Sequence, residues 1–209
     1  MKKRLLEYVP LISNKTKIFI SSMLLILALV TCVFSSYSID SKICLLAMFF
    51  SFIGDILLNC TTLEKRPHSL LYTGAIFFMI SHIIYASAYY HLIRISQKAF
   101  FNVGTYTAII SLLLILAISI ICLLILNQKL KPSMIFIFAI YIVMISINFI
   151  TIYSYSWNFN ALSFLGATSF LISDYIIGIE TVFKIRKDTL RKLVWFFYPI
   201  GQILIIICR

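Results

Sequence analysis

The stretch FFSFIGDILLNC (residues 49–60), a short charged break and SLLYTGAIFFMISHIIYASAYY (residues 69–90) place two ionisable side chains inside apolar runs. They are the carboxylate of Asp55 and the imidazole of His82. An ionisable group at the centre of a membrane-spanning helix costs about 2.5 kcal/mol or more on insertion scales. Something must offset that cost, so both residues are candidates for a functional site.

The composition indicates that these runs belong to an integral membrane protein. Of 209 residues, 62% are hydrophobic, only 12% are charged, and the mean hydropathy is +1.03. A soluble domain has about twice that charged share. Because a helix needs about 20 apolar residues to cross a bilayer, the sequence predicts an all-α polytopic bundle in one domain, residues 1–209. The predicted spans are residues 18–37, 43–61, 70–92, 103–126, 133–154, 161–182 and 192–208.

The net charge of +11 predicts the orientation of the chain rather than a nucleic-acid partner. Fourteen Lys and Arg residues fall on one side of the predicted spans and four fall on the other. Because basic loops stay inside, we expect a cytoplasmic N-terminus and an external C-terminus, as in a bacterial inner-membrane protein. The basic side would also attract anionic lipid headgroups.

More polar residues lie at helical spacing within the predicted spans. Ser51, Asp55 and Asn59 are four residues apart and share a face of the second span. The sixth span contains a second carboxylate, Asp174, and the seventh contains Gln202. An intramembrane carboxylate is seldom explained by packing alone, so Asp174 joins the candidates.

Two similar spacings suggest an internal repeat. Asp55 and His82 are 27 residues apart, and Asp174 and Gln202 are 28 apart. Each pair bridges a basic loop on the predicted inner side. We therefore expect a parallel repeat whose halves both contribute to one cavity open to the inner leaflet.

Other polar residues receive structural interpretations. The first span has Thr31 and Cys32 as its only mid-span polar residues and is interpreted as scaffold. Asn148 is expected to form an interhelical amide bond, and Glu180 to pair with Lys184 at the surface. The five cysteines show neither paired nor metal-ligand spacing.

Four ordered motifs resemble the YhhN-like lysoplasmalogenase family, from Lys17 to the C-terminus. They are F-x-x-x-G-D-x-x-L (residues 50–58), G-x-x-F-F-x-x-x-H-x-x-Y (74–85), G-A-x-x-F-x-x-S-D (166–174) and Y-x-x-x-Q-x-L (198–204). The resemblance implies a multi-pass hydrolase that cleaves the vinyl-ether bond of a lysoplasmalogen. The products would be a fatty aldehyde and a glycerophosphoethanolamine or glycerophosphocholine. That family usually has eight spans, one more than predicted here.

The resemblance also implies the site residues and partners. The catalytic candidates are Asp55, His82 and Asp174. Substrate-binding candidates are Gln202, Tyr85, Tyr198, Ser173 and Lys17. The expected partners are a lysophospholipid substrate and membrane lipid, with a homo-oligomer left open, and no cofactor or metal is expected.

The chemistry of vinyl ethers suits a pair of carboxyl groups. Protonation of the β-carbon gives an oxocarbenium-like cation, which water captures before the hemiacetal collapses. One carboxyl should be protonated and the other ionised, as in two-carboxylate glycosidases. Because Asp174 lies deeper, we expect it to donate the proton and Asp55 to act as base, with His82 and Gln202 orienting water or the ether oxygen.

Three alternatives remain open from the sequence. Two Asp and one His could hold a divalent metal in a metal hydrolase. An Asp–His chain could instead relay protons in a proton-coupled transporter of small molecules or lipids. The third alternative is a purely structural membrane protein, which would gain little from two mid-span carboxylates.

Overall fold

The computed structural model describes residues 13–59, 68–125, 132–182 and 188–209, and within these ranges it consists of α-helices without a strand. The all-α prediction is confirmed. The helices are α1 (Asn14–Phe34), α2 (Ile39–Asn59), α3 (His68–Ile95), α4 (Val103–Ile125), α5 (Pro132–Asn158), α6 (Ala161–Val182) and α7 (Asp188–Ile207). Among the residues whose side chains are described, six of these helices are long and apolar enough to cross a membrane, and in α4 those side chains extend from Val103 to Ala117. These spans fit a multi-pass integral membrane protein.

The ends of α1 show why two predicted boundaries were wrong. The Ser13 side chain caps the helix by accepting a hydrogen bond from the Thr16 N–H at 3.1 Å, so α1 begins before residue 18. The helix ends at Phe34 because Ser36 and Tyr37 adopt left-handed conformations, with φ of 51° and 57°. The chain turns there, and α2 begins at Ile39, four residues before the predicted start at 43.

Six of the seven helices form a closed ring. Neighbours in contact around the ring are α1, α2, α3, α5, α6 and α7, and α7 packs back against α1. Within the described chain, α4 packs against α5 from outside the ring. Its Ile110, Leu113 and Leu114 are about 60% exposed, as the predicted lipid-facing role requires. The interior, by contrast, contains most of the buried polar side chains.

The order of packing agrees with the predicted parallel repeat. The segments α1–α2–α3 and α5–α6–α7 follow each other around the ring, joined by the contacts α3·α5 and α7·α1. Equivalent positions also meet: Ser51 and Ser81 share a hydrogen bond of 2.7 Å between α2 and α3. In the second half, Phe170 holds the position before Asp174 that Ser51 holds before Asp55, and Gly201 precedes Gln202 as Ser81 precedes His82. Phe170 and Gly201 also meet, where α6 packs against α7.

The inner loops fall mostly outside the described residues, including Lys184, the predicted partner of Glu180. The orientation of the termini therefore stays a prediction. The end of the bundle that contains Lys17 is called the Lys17 end below.

Candidate active site

The four central candidates are brought into the interior of the ring from four different helices. Asp55 on α2 and Asp174 on α6 are 4% and 5% exposed, and His82 on α3 and Gln202 on α7 are fully buried. The stripe of Ser51, Asp55 and Asn59 predicted on α2 is also buried. These polar groups therefore face protein rather than lipid.

Asp55 is held by hydroxyl groups from two neighbouring helices. Ser21 Oγ on α1 and Tyr198 Oη on α7 both donate to Oδ2 of Asp55, each at 2.6 Å. Both bonds are shorter than the usual O–H···O distance of about 2.7–2.8 Å. Because both donors use one oxygen, Oδ1 of Asp55 accepts from neither.

Asp174 is paired with the imidazole of His82. The distance from His82 Nε2 to Asp174 Oδ2 is 3.0 Å, and Nδ2 of Asn148 lies 3.0 Å from His82 Nδ1. With the Asn148 amide assigned as a donor, Nδ1 is an acceptor and the imidazole proton lies on Nε2, directed at Asp174. The expected interhelical bond of Asn148 is thus present, and it orients the predicted catalytic histidine.

Gln202 belongs to a third set of contacts. Tyr85 Oη donates to its Oε1 at 2.7 Å, and its Nε2 donates to Ser51 Oγ at 3.4 Å. Ser51 in turn shares a hydrogen bond with Ser81. Gln202 therefore links α7 to α2 and α3 and contacts neither aspartate through a hydrogen bond in the described structure.

An aromatic residue, Phe170, connects these sets. Its ring centroid lies 4.7 Å from that of His82 and 5.8 Å from that of Tyr198. Asp55 and Asp174 thus lie in adjacent helix seams, each with its own partners, and still within electrostatic range of each other. A single water-filled hollow shared by both acids stays a prediction.

A family comparison covers almost the whole chain and all of these residues. The model of the YhhN family matches residues 15–208. The chain belongs to the YhhN family. The resemblance found in its four motifs is thereby confirmed at the level of the family. No curated protein and no solved structure matches this YhhN protein.

Two of the predicted substrate-binding residues of this YhhN protein lie in different settings. Ser173 is fully buried, and its hydroxyl donates to the Phe170 carbonyl of its own helix at 2.7 Å. Lys17 lies at the mouth of the bundle, where its ammonium is 5.5 Å from the centre of the Trp195 ring. Lys17 is also within electrostatic range of Asp55. Lys17 thus packs on an aromatic ring near the end of the bundle, whereas the Ser173 hydroxyl bonds within its own helix, and a role of either in binding substrate stays a prediction.

Ser21 and Tyr141 are site residues that the sequence interpretation missed. The first span was interpreted as scaffold, yet its Ser21 is a partner of Asp55. Tyr141 packs edge-on against His82 with centroids 5.8 Å apart, and its hydroxyl lies near Asp174. The signal for Ser21 was its position one turn after Lys17, where it and Ser22 precede a run of apolar residues.

The candidate metal ligands Asp55, His82 and Asp174 do not all meet at one point. Among the described residues, no three His, Cys, Asp or Glu side chains converge. Asp174 and His82 meet, but Asp55 faces Ser21 and Tyr198 instead. The arrangement provides two acids and an imidazole with ordered hydrogen-bond partners, which is a set suited to proton transfer.

Proposed function

We propose that this YhhN protein is a membrane-embedded hydrolase that cleaves the vinyl-ether bond of a lysophospholipid. The products are a fatty aldehyde and a glycerophosphoethanolamine or glycerophosphocholine. One observation carries the proposal: two intramembrane carboxylates, Asp55 and Asp174, are each fixed by side-chain donors from other helices, and Phe170 packs against one donor of each, Tyr198 and His82. Hydrolysis of a vinyl ether needs one group that donates a proton and one that removes a proton from water.

We assign Asp55 as the acid because its two hydroxyl donors leave the other carboxyl oxygen available to carry a proton. A protonated carboxyl accepts hydrogen bonds on its carbonyl oxygen and carries its proton on the other oxygen. Ser21 and Tyr198 both occupy Oδ2, so Oδ1 is free to carry a proton toward a substrate. This assignment reverses the one expected from depth, which made Asp174 the donor, and the reason is the placement of these two hydroxyls.

The hydrogen bond of Asp174 favours a role as the base. His82 Nε2 donates to its carboxylate, and Asn148 fixes that tautomer from the other side of the ring. An oriented carboxylate of this kind can remove a proton from water as the water attacks the cation. His82 then acts as a positioning residue for the base.

These assignments give a balanced reaction. The π electrons of the vinyl ether take the proton from Asp55, and a C–H bond forms at the β-carbon. Water adds to the α-carbon of the cation and gives its proton to Asp174. As the hemiacetal collapses, the C–O bond to glycerol breaks and the leaving oxygen takes the proton from Asp174. The hydroxyl proton of the hemiacetal returns to Asp55, and the aldehyde leaves.

A groove between α1 and α2 offers a path for the alkyl chain. It has a volume of about 520 Å³ and is lined by Lys42 and by apolar residues that include Leu25, Leu29, Leu45 and Phe49. Leu25 is one helical turn from Ser21, on the side away from the Lys17 end. A chain in this groove would therefore begin near Asp55 and run through apolar surroundings.

The test uses purified protein with three lysolipids that differ only in the bond at the first carbon of glycerol: vinyl ether, alkyl ether and ester. We expect aldehyde release from the vinyl ether and no product from the other two. Fatty acid released from the ester would contradict the proposal, as would the absence of aldehyde. Proton-driven flux through protein in vesicles, without aldehyde, would favour the transporter instead.

A further inference from the structure

Opposite charges gather where α1, α6 and α7 meet at the Lys17 end. Glu180 on α6 lies within electrostatic range of Arg191 on α7 and Lys17 on α1. Asp188 lies in the same group, 3.7 Å from Arg191. The cluster of Lys17, Glu180 and Arg191, called the mouth cluster below, contains two cations and one half-buried carboxylate. The more exposed Asp188 lies beside it.

Two atoms of the mouth cluster are buried without a partner. In the part of the chain that the structure describes, neither Oε1 of Glu180 nor Nε of Arg191 accepts or donates a hydrogen bond. Buried polar groups left unsatisfied are costly, and charged ones more so. Oε1 of Glu180 can accept a hydrogen bond from an ammonium, and Nε of Arg191 can donate one to a phosphate oxygen. A single ligand with an ammonium and a phosphate would satisfy both.

The distance from the mouth cluster to Asp55 matches the distance from the phosphate to the ether in the substrate. Lys17 precedes Ser21, the donor to Asp55, by four residues, which is about 6 Å along the helix. In a lysoplasmalogen, five bonds of about 1.5 Å join the phosphorus to the ether oxygen and span about 6 Å. A phosphate held beside Lys17 therefore places the vinyl ether at the depth of Asp55.

We propose, on the basis of the hydrolase proposed above, that the mouth cluster recognises a zwitterionic phosphoethanolamine or phosphocholine headgroup. The phosphate accepts hydrogen bonds from Lys17 and Arg191, and the ammonium lies against Glu180. Trp195 borders the site, since its ring already contacts the Lys17 ammonium. The headgroup then lies at the mouth cluster, the vinyl ether lies beside Asp55, and the alkyl chain lies in the α1–α2 groove.

The test measures binding of three uncleavable alkyl-ether lipids to purified protein in nanodiscs. The lipids are an alkyl-ether lysophosphatidylethanolamine, the corresponding 1-alkylglycerol 3-phosphate, which lacks the amine, and 1-alkylglycerol, which also lacks the phosphate. Glu180→Gln should reduce the preference for the amine about tenfold, and Lys17→Gln should reduce the preference for the phosphate about tenfold. Arg94→Gln, an exposed basic residue at the opposite end of α3, serves as the control and should change neither preference.

The ratios between lipids do not depend on how much of each variant is folded, so a partly unfolded variant still gives an answer. Unchanged ratios in Glu180→Gln and Lys17→Gln would overturn the headgroup site. The two proposals fail separately. Aldehyde release with unchanged ratios would reject the headgroup site alone, and altered ratios without aldehyde release would reject the hydrolase alone.

Discussion

Tyr198 donates a hydrogen bond of 2.6 Å to Asp55 across 143 residues of sequence. Ser21 donates to the same carboxylate oxygen from α1, so Asp55 joins the three helices at which the ring closes. A carboxyl group in this position stabilises the packing of the helices, and its own orientation is fixed by the two hydrogen bonds. The variants below separate these two roles.

Replacing Tyr198 with Phe should lower aldehyde release about tenfold to a hundredfold. The ring still packs against Phe78 and Phe170, but one of the two donors to Asp55 is lost. Rates measured at saturating vinyl-ether lysolipid check this expectation. Tyr106→Phe, at an exposed position on α4, is the matched control. Equal rates for Tyr198→Phe and the wild type would show that this hydroxyl has no role in the reaction.

Ser21→Ala should lower the rate about tenfold, because it removes the second donor to Asp55. The neighbouring Ser22→Ala is a close control, since the Ser22 hydroxyl bonds only its own helix, at the Ile18 carbonyl. In detergent we expect Ser21→Ala also to lose about 1 kcal/mol of stability. If Ser21→Ala and Ser22→Ala release aldehyde at the same rate, the hydrogen bond from Ser21 to Asp55 does not contribute to the reaction.

Asn148→Ala should reduce the rate of aldehyde release about tenfold, because the imidazole of His82 is then no longer held in one tautomer. The reduction should be absent when His82 is already replaced by alanine, because the amide acts through the imidazole. A double-mutant cycle on aldehyde release measures this coupling. Asn158→Ala, which loses a bond to a carbonyl of its own helix, is the control. Additive effects of Asn148→Ala and His82→Ala would argue against a positioning role.

Gly201→Ala should destabilise the fold by about 1–3 kcal/mol. A Cβ at Gly201 would lie 2.8 Å from the backbone nitrogen of Phe170, which cannot move without moving α6. At Gly178 a Cβ meets no atom within 4 Å, so Gly178→Ala should be neutral or slightly stabilising. Thermal unfolding of both variants in the same detergent compares them. Equal midpoints would mean that α6 and α7 do not pack as closely as described.

The sequence identified the buried ionisable residues of the candidate site better than their pairing. Asp55, His82 and Asp174 were identifiable because an ionisable group in an apolar run is costly wherever it lies. Periodicity describes one helix at a time, however, and which helices meet depends on packing between many side chains. Ser21 was missed for this reason, since one hydroxyl on α1 becomes informative only when α1 is placed against α2.

The shape of α1 shows a second limit of the sequence. Hydropathy continued to residue 37, but the left-handed Ser36 and Tyr37 end the helix before that point. Apolar residues near a turn are as compatible with a membrane boundary as with a helix, so composition could not place the end. The spacing, by contrast, predicts a parallel repeat that agrees with the order of packing, because each half contains an acid and, about 27 residues later, a polar partner.

The most direct test of the central claim compares aldehyde release by the wild type with release by Asp55→Asn and by Asp174→Asn, using the vinyl-ether lysolipid. Asparagine is nearly the same size, so folding should persist, while neither proton donation nor proton removal is available at the changed position. We predict that each variant loses activity by about a hundredfold or more and remains folded in detergent. Wild-type activity in either variant would contradict a reaction that depends on both aspartates.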